Sequence, residues 1–148
     1  MTEFKLYEFE ELTTGMLYDI MALRAEVFVM EQHCIYLDPD GIDKSALHLC
    51  CFDNHILVAY ARIIPPGIVY REASIGRVLS RFSNRRSGLG KALMAEAIRI
   101  CFSTFKQSDI KIGAQLYLQK FYESLGFKKV SDTYLEDNIP HITMLLTK

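Results

Sequence analysis

Hydrophobic and polar residues alternate over positions 4–9 of the chain and then change to a helical spacing. The alternation predicts a first strand, because successive side chains of a strand face opposite sides. From a cap at Thr13 or Thr14 to about Gln32, apolar residues recur at steps of three and four, which predicts an amphipathic helix. Arg24 interrupts this apolar stripe, so we expect a carboxylate or carbonyl partner for its guanidinium if it is buried.

Short strands are predicted for the middle of the chain. After a loop over 33–44, the predicted strands cover residues 47–52, 56–64 and 68–79. The polar residues Asp53, Asn54 and His55 join the first two of these strands as a hairpin. Gly76 lies inside the third strand and indicates a β-bulge or a close approach by another backbone.

Helices and strands alternate in the last third of the chain. The predicted elements are a helix from 89 to about 105, a strand over 110–114, a helix over 116–125, and strands over 127–130 and 139–146. A polar excursion, 136–138, separates the last two strands. This order predicts one α/β domain over residues 1–148, in which a mixed central β-sheet is flanked by helices.

The composition narrows the classes of protein that the chain can belong to. Half of its 148 residues are hydrophobic, which indicates one globular domain with a single core. A net charge of −1 with mixed signs argues against nucleic acid as an obligatory partner. No apolar run is long enough to cross a membrane, and the first residues lack the pattern of a secretory signal. We therefore expect a cytoplasmic protein with no membrane partner.

The four cysteines are scattered and form no Cys-x-x-Cys pair, which favours a reducing compartment over a disulfide or metal framework. Cys50 and Cys51 are adjacent in a predicted strand and should point to opposite faces. His48 and Cys50 should share a face. A cysteine nucleophile therefore stays open beside the simpler interpretation of two buried structural thiols.

The candidate chemistry is concentrated in one segment, Arg85-Arg86-Ser87-Gly88-Leu89-Gly90-Lys91, between a strand and a helix. Glycines let backbone N–H groups come close to a ligand, and a helix N-terminus carries a partial positive charge. The arginines and Lys91 add mobile positive charge, so this order of elements favours a phosphate-binding loop. The alternative is a helix N-cap at Ser87 beside a solvated basic turn.

Two nucleotide-binding motifs fail on a glycine that their geometry requires. A Walker loop needs glycine at the position of Arg85, and the dinucleotide fingerprint needs one at the position of Leu93. Residues 85–90 instead resemble the pyrophosphate loop of the GNAT acetyltransferases: Arg or Gln, two residues, Gly, one residue, then Gly or Ala. Residues 114–127, in which Phe121-Tyr122 precedes Gly126-Phe127, are similar to the later motif of that family.

The resemblance covers nearly the whole chain and is strongest to the ElaA-like branch of GNAT proteins. The further segments that carry it are 24–32, 38–43, 75–78, 113–115 and 136–142. One departure is Asn138, where that branch is expected to have glycine. Asparagine tolerates the same turn conformations, so the turn itself is still expected.

The resemblance implies an acetyl-CoA-dependent N-acetyltransferase. It acts by direct attack in a ternary complex and uses a small-molecule or peptide primary amine as the acceptor, with CoA as product. Tyr122 is implied to give a proton to the leaving thiolate, and the backbone N–H of Leu79 to donate to the thioester oxygen. The implied cofactor-binding residues are Val78, Leu79, Ser80, Arg85, Arg86, Ser87, Gly88, Leu89, Gly90 and Lys91.

Several alternatives stay open at this point. A non-catalytic CoA-binding sensor and a protein-interaction domain are other uses of the same loop, and a homodimer is one possible assembly. The general base is chosen from Glu31, Asp40, Asp43, His48, Glu72 and His141. Of these, we favour Glu31 and His141 as acceptor-site residues.

The acidic loop 38–43 has an ambiguous meaning. Its spacing departs from a calcium loop, because the glycine comes too early and Leu49 stands in place of the last glutamate, so no metal is expected. The loop then either attracts a cationic acceptor or forms a plain solvated turn.

Overall fold

The computed structural model describes residues 1–106 and 108–148. The strands are β1 (Thr2–Glu8), β2 (Leu47–Asp53), β3 (Ile56–Ile64), β4 (Ser74–Ser80), β5 (Ile110–Gln115), β6 (Lys128–Lys129), β7 (Tyr134–Glu136) and β8 (Ile139–Leu146). The helices are α1 (Thr14–Arg24), α2 (Leu89–Thr104) and α3 (Gln119–Ser124), and a π-helical segment, Ala25–Glu31, continues α1. Single 3-10 turns cover Phe9–Glu11, Asp43–Ser45, Phe82–Asn84 and Leu116–Leu118.

The strands form two sheets that meet along one edge. The first sheet has the order β1-β2-β3-β4, and in the second β8 lies between β5 and β6 and also pairs with β7. Every pair inside a sheet is antiparallel. A parallel bridge between Ala73 and Ile110 joins the sheets, with the Lys111 N–H donating to the Ala73 carbonyl at 2.9 Å. The predicted sheet is mixed, with parallel and antiparallel pairs, and this bridge supplies the parallel pairing.

β4 and β5 diverge beyond the bridge. Both run in the same direction from it, and a cavity opens between residues 75–80 of one strand and the end of the other at Gly113 and Gln115. α2 crosses from β4 to β5 and packs its apolar face, including Leu93, Met94 and Ala97, on the sheet. The two sheets therefore share a core at one end and are separated by a cleft at the other.

The predicted strand over 68–79 is wrong in its first half. Gly67, with φ 90°, donates its N–H to the Tyr70 carbonyl at 2.7 Å, and this turn keeps residues 68–73 out of the sheet until Ser74. The bulge predicted near Gly76 is confirmed. Arg77 and Val78 lie opposite the single residue Ala61, and Arg77 has a φ of 49°.

The polar excursion 136–138 is the tip of a β-hairpin. Asp137 and Asn138 have φ values of 50° and 62° and connect β7 directly to β8. Two consecutive residues with positive φ match the twist of the flanking strands, which is why such pairs favour tight hairpins. Asn138 thus takes a left-handed conformation, as expected for a position where glycine was anticipated.

The core divides into two clusters on opposite faces of the first sheet. Cys51 belongs to the cluster that packs against α2, whereas Cys50 belongs to the cluster beneath α1. The opposite orientations predicted for these adjacent cysteines are confirmed. No helix within 1–106 and 108–148 combines the length and apolarity needed to cross a membrane.

A buried ionic cluster ties the loop 33–44 to the sheet. Arg24 is fully buried and donates from Nε to Asp38 at 2.8 Å and from Nη1 to Asp43 at 2.7 Å. Arg62 on β3 donates to Asp43 at 2.9 Å and to both carboxylate oxygens of Asp40, at 2.8 and 2.9 Å. The partner expected for Arg24 is therefore a pair of carboxylates, which the acidic loop supplies.

Replacing Arg24 with alanine should lower the free energy of unfolding by about 3–5 kcal/mol, because two buried carboxylates then lose their guanidinium. Chemical denaturation measures the loss. Arg99→Ala is the matched control, since Arg99 pairs with Glu96 on the exposed face of α2 and should contribute far less. Equal losses in the two variants would contradict a dominant role for the buried cluster.

Acid should weaken the same cluster. Burial alone would raise the pKa of Asp40, but hydrogen bonds from Arg62 and the Ile42 N–H bring it down to about 2. The folded-state pKa is thus below the ordinary value, so stability is complete above about pH 4 and falls as pH drops towards 2. Asp40→Asn should flatten that acid limb in urea titrations. A variant that loses stability with acid as steeply as the wild type would disprove the assignment.

Candidate active site

The cleft between β4 and β5 encloses a cavity of about 670 Å³. Its walls come from the π-helical segment, the bulged strand β4, the end of β5, α3 and the β7–β8 hairpin. Among the lining residues are Glu31, Val78, Ser80, Gly90, Tyr122 and His141. Residues separated by more than a hundred positions in sequence thus share one cavity.

The direction of the β4 backbone groups follows from the hydrogen bonds at its end. Arg81 donates its N–H to the Val58 carbonyl of β3 at 2.7 Å, so its backbone faces β3. Because successive residues of a strand alternate, the N–H of Leu79 also faces β3, whereas Val78 and Ser80 face the cavity. This corrects the donor expected at Leu79: the N–H groups presented to the cavity are those of Val78 and Ser80.

Arg85 confirms this alternation from the other side. Its side chain donates from Nε and Nη2 to the Ser80 carbonyl, at 3.1 and 2.9 Å, and from Nη2 to Glu31 at 2.6 Å. The Ser80 carbonyl therefore points away from β3. The pair also fixes Glu31 beside the loop that precedes α2, where its carboxylate already accepts a hydrogen bond from the Arg85 guanidinium.

The N-terminus of α2 lacks a side-chain cap. Gly88, with φ 79°, is the N-cap, and the first helical hydrogen bond runs from the Ala92 N–H to the Gly88 carbonyl at 3.1 Å. The N–H groups at the start of the helix, from Leu89 to Lys91, therefore have no intrahelical acceptor. Ser87 does not serve as the cap considered from sequence, because its hydroxyl donates to the Asn84 carbonyl at 2.7 Å.

Basic residues around the loop divide into paired and unpaired groups. Arg77 is paired with Asp38 at 2.8 Å, and Arg81 with Glu26 at 3.2 Å. Within the part of the chain that the structure describes, Arg86 and Lys91 form no ion pair and are exposed. These two cations stand beside the uncapped helix N-terminus and complete a site suited to an anion.

The C-terminal end of α3 fixes the position of Tyr122 in the cavity wall. Gly126, with φ 100°, closes α3 as a Schellman motif, in which Gly126 N–H donates to Glu123 and Phe127 N–H to Tyr122. The ring packs edge-on against Phe121 and Phe127, at 5.2 and 5.9 Å between centroids. Burial raises the pKa of the Tyr122 phenol to about 12. Among the described residues, its hydroxyl has no hydrogen-bond partner.

His141 lies on β8 opposite Gln115 of β5 and Tyr134 of β7. Its ring stacks on Tyr134 at 6.0 Å, and its Nδ1 is 2.7 Å from the Ile139 carbonyl. Its Nε2 lies 3.5 Å from a carboxylate oxygen of Glu136. The side chain is only 9% exposed and belongs to the cavity wall.

Comparison with known proteins agrees with this geometry. Residues 24–148 match the family model described as acetyltransferase (GNAT) domain. The chain belongs to the GNAT acetyltransferase family. It is 38% identical to Protein ElaA of Escherichia coli over 146 residues, which cover 97% of this chain and 95% of that protein.

Solved GNAT structures give the same result. An acyl-CoA N-acyltransferase from Pseudomonas aeruginosa superimposes with a TM-score of 0.95 at 36% identity, over 99% of this chain and all of that one. The crystal structure of E. coli ElaA gives 0.93 at 37% identity, also over 99% and 100%. An aminoglycoside 6′-N-acetyltransferase complexed with coenzyme A shares the fold, at 0.71 and 18% identity over 95% of each chain. Family and fold together identify a transferase of the acyl-CoA-dependent type.

Most of the general-base candidates lie outside the GNAT cleft. His48 is fully buried, and its ring is bonded to the Tyr60 hydroxyl at 2.7 Å and the Asp43 carbonyl at 2.9 Å; burial lowers its pKa. Asp40 and Asp43 belong to the ionic cluster, and Glu72 pairs with Lys111 at 3.6 Å. The structure thus removes these four and leaves Glu31 and His141 at the cavity.

The acidic loop is neither a solvated turn nor a collector of cations. Its three aspartates form ion pairs with Arg24, Arg62 and Arg77, which balance their charge. Within residues 1–106 and 108–148, no group of three or more His, Cys, Asp or Glu is arranged to hold a metal. Cys50 is buried, which raises its pKa to about 12, so it is a poor nucleophile.

Two elements of the cavity wall were not predicted from sequence, although Glu31 itself was. The π-helical turns at the end of α1 bring Glu31 and Gln32 to the cavity, where Gln115 donates to Gln32 at 3.1 Å. β7 brings Tyr134 and Glu136 to His141. The signal for β7 was available, since two turn-forming residues, 137–138, stand between extended runs.

Alanine at position 88 tests the geometry of the loop. The left-handed φ of Gly88 is strained for any residue with a Cβ, so Gly88→Ala should lower the unfolding free energy by about 1 kcal/mol. Gly15→Ala is the matched control, because Gly15 is helical, has an ordinary φ and faces open space. Thermal and urea unfolding should separate the two variants. Equal stability in both would contradict the conformation assigned to Gly88.

Proposed function

We propose that this protein is an acetyl-CoA-dependent N-acetyltransferase that acetylates a primary amine by direct attack in a ternary complex. The observation that carries the proposal is the convergence of three features on one cavity. These are the backbone N–H groups of Val78 and Ser80, the uncapped N-terminus of α2, and the phenol of Tyr122. Family membership supports the acyl-CoA donor, and the acetyl group and the amine are our inference.

The cofactor diphosphate would lie on the loop from Arg86 to Lys91. Unpaired N–H groups at the helix start donate to its oxygens, and the side chains of Arg86 and Lys91 supply the counter-charge. Leu89 is buried and anchors the first helical turn in the core, so the loop is positioned before the ligand arrives. Little reorganisation is then needed on binding.

The pantetheine arm would extend β4 as an additional short strand. Its carbonyl groups would accept from the N–H groups of Val78 and Ser80, since the Ser80 carbonyl already accepts two hydrogen bonds from Arg85. This places the thioester at the bulge. The Val78 N–H then becomes the donor for the thioester oxygen and for the oxyanion that forms on it.

Tyr122 would act on the leaving group. Its phenol is protonated at neutral pH and can donate, and burial, which raises its pKa further, disfavours the phenolate. Burial of the departing sulfur likewise disfavours the thiolate and raises its affinity for a proton. Proton donation as the carbon–sulfur bond breaks then avoids a bare thiolate in the cavity. Glu31 and His141 line the same cavity and are the acceptor-site residues of this proposal.

Tyr122→Phe should reduce the turnover number by about 10²-fold or more while leaving acetyl-CoA affinity unchanged, because only the phenol proton is lost. Tyr18→Phe is the matched control, since Tyr18 is 75% exposed on α1 and lies outside the cavity. Steady-state thiol release measures turnover. Undiminished turnover in Tyr122→Phe, with chemistry shown to limit the rate, would remove the phenol from the mechanism.

The function itself is tested by binding and by turnover. Acetyl-CoA at a hundred times its dissociation constant should stabilise the fold by about 2.7 kcal/mol and raise the melting temperature accordingly. Spermidine, tyramine and a short lysine peptide, each added with acetyl-CoA, should reveal an acceptor through release of free thiol. A melting temperature unaffected by acetyl-CoA would contradict the proposal. Stabilisation without thiol release from any primary amine would favour the CoA sensor instead.

A further inference from the structure

We propose that His141 is the general base of the reaction. Glu136 is the positioning residue, whose carboxylate stabilises the proton that the imidazole accepts. This inference rests on the proposed N-acetyltransferase function and adds to it the group that removes the proton from the amine. It is carried by the β7–β8 hairpin, which brings both side chains to the same wall of the cavity as Tyr122.

A base is needed because the acceptor amine arrives protonated. A primary alkylamine with a pKa near that of lysine, about 10.4, carries its proton at neutral pH and has no lone pair for attack. Glu31 is a poor candidate for removing it, since its carboxylate already accepts a 2.6 Å bond from Arg85. Among the described residues that line the cavity, His141 presents the nitrogen best suited to this step.

The tautomer of His141 follows from its neighbours. Nδ1 lies 2.7 Å from the carbonyl oxygen of Ile139, and a carbonyl can only accept, so Nδ1 carries the hydrogen. In the neutral ring, Nε2 is therefore the unprotonated nitrogen with a free lone pair. Stacking on Tyr134 at 24° between ring planes holds this orientation. The imidazole is thus set to accept a proton at Nε2.

Glu136 stabilises the proton once it has been transferred. Its carboxylate oxygen is 3.5 Å from Nε2, which is longer than a good hydrogen bond but close enough for a modest, solvent-screened attraction to an imidazolium. The carboxylate itself is 60% exposed, whereas the imidazole is 9% exposed. The pair therefore connects a buried proton acceptor to solvent, and the proton can leave past the Glu136 carboxylate.

The steps balance in protons and bonds. The acceptor ammonium gives one proton to Nε2 of His141, and the free amine then attacks the thioester carbonyl carbon. The new carbon–nitrogen bond forms and the carbon–sulfur bond breaks, with Tyr122 giving its phenol proton to the sulfur. The nitrogen loses its second proton to the Tyr122 phenolate. Amide and free thiol are released, and His141 passes its proton to solvent past Glu136.

Nitrogen-15 NMR of histidine-labelled protein tests the tautomer without any acceptor. We expect the neutral His141 ring to carry hydrogen on Nδ1, with the resonance assigned by its loss in His141→Gln. A neutral ring protonated at Nε2 would overturn the assignment, because that tautomer has no lone pair to offer the amine.

Turnover tests the role of the base directly. His141→Gln should bind acetyl-CoA as the wild type does, but lower turnover of basic amines such as spermidine or tyramine by about 10²-fold. Methoxyamine, which is unprotonated at neutral pH, should be affected far less. A uniform loss with every amine, or no loss at all, would overturn the assignment to a base.

Glu136→Gln isolates the positioning residue. It should reduce turnover of the same basic amines by about fivefold to tenfold, as expected for one charge acting across 3.5 Å near solvent, and leave the Nδ1–H tautomer in place. Asp132→Asn removes an exposed carboxylate that does not line the cavity and is the control, with turnover expected to stay at the wild-type level. Equal effects of the two variants would overturn the role of Glu136.

The failure of this inference is distinguishable from failure of the proposed function. If wild-type protein binds acetyl-CoA and releases thiol with an amine while His141→Gln does so equally well, the base alone is misassigned. If the wild type neither binds acetyl-CoA nor turns over with any of the amines, the proposed function is wrong and the base falls with it.

Discussion

The divergence of β4 from β5 determines what this molecule can do. The two strands are joined at the Ala73–Ile110 bridge and then separate, so the backbone of β4 beyond the bulge faces a cavity in place of a neighbouring strand. Backbone N–H and C=O groups in such a position need partners, and a ligand that resembles an extended peptide supplies them. The first turn of α2, through Gly90, and α3, through Tyr122, line the same cavity.

The buried ionic cluster supports the bulge of β4, which borders the cavity. Arg77 occupies a left-handed conformation in the bulge, and its guanidinium pairs with Asp38 and lies 5.6 Å from the ring of Tyr36. Asp38 and Asp43 are in turn held by Arg24 at the end of α1. The strained turn of the bulge and the π-helical wall of the cavity thus share one set of buried charges. The shape of the site therefore depends on Arg24, Asp38 and Asp43, which do not line the cavity themselves.

Local patterns predicted much of this from the sequence. Alternation predicted the strands of the hairpin-rich half, the glycine at position 126 predicted a helix end, and the basic glycine loop predicted the start of α2, whose role as an anion site stays a prediction. The first half of the strand over 68–79 was wrong because a turn at Gly67 outweighed its apolar composition. The direction in which each β4 N–H points depends on the bulge and on pairing with β3, and single residues do not encode either. The sequence therefore does not show that the N–H of Val78, and not that of Leu79, faces the cavity. The neutralisation of the acidic loop 38–43 is not visible in the sequence, because its partners, Arg24, Arg62 and Arg77, come from distant positions.

A crystal structure with bound coenzyme A tests the central claim most directly. We expect the diphosphate oxygens within hydrogen-bond distance of the amides between Arg86 and Lys91, the pantetheine paired with Val78 and Ser80, and the sulfur beside the Tyr122 hydroxyl. Pantetheine lying away from β4, with the diphosphate bound outside the loop, would contradict the account.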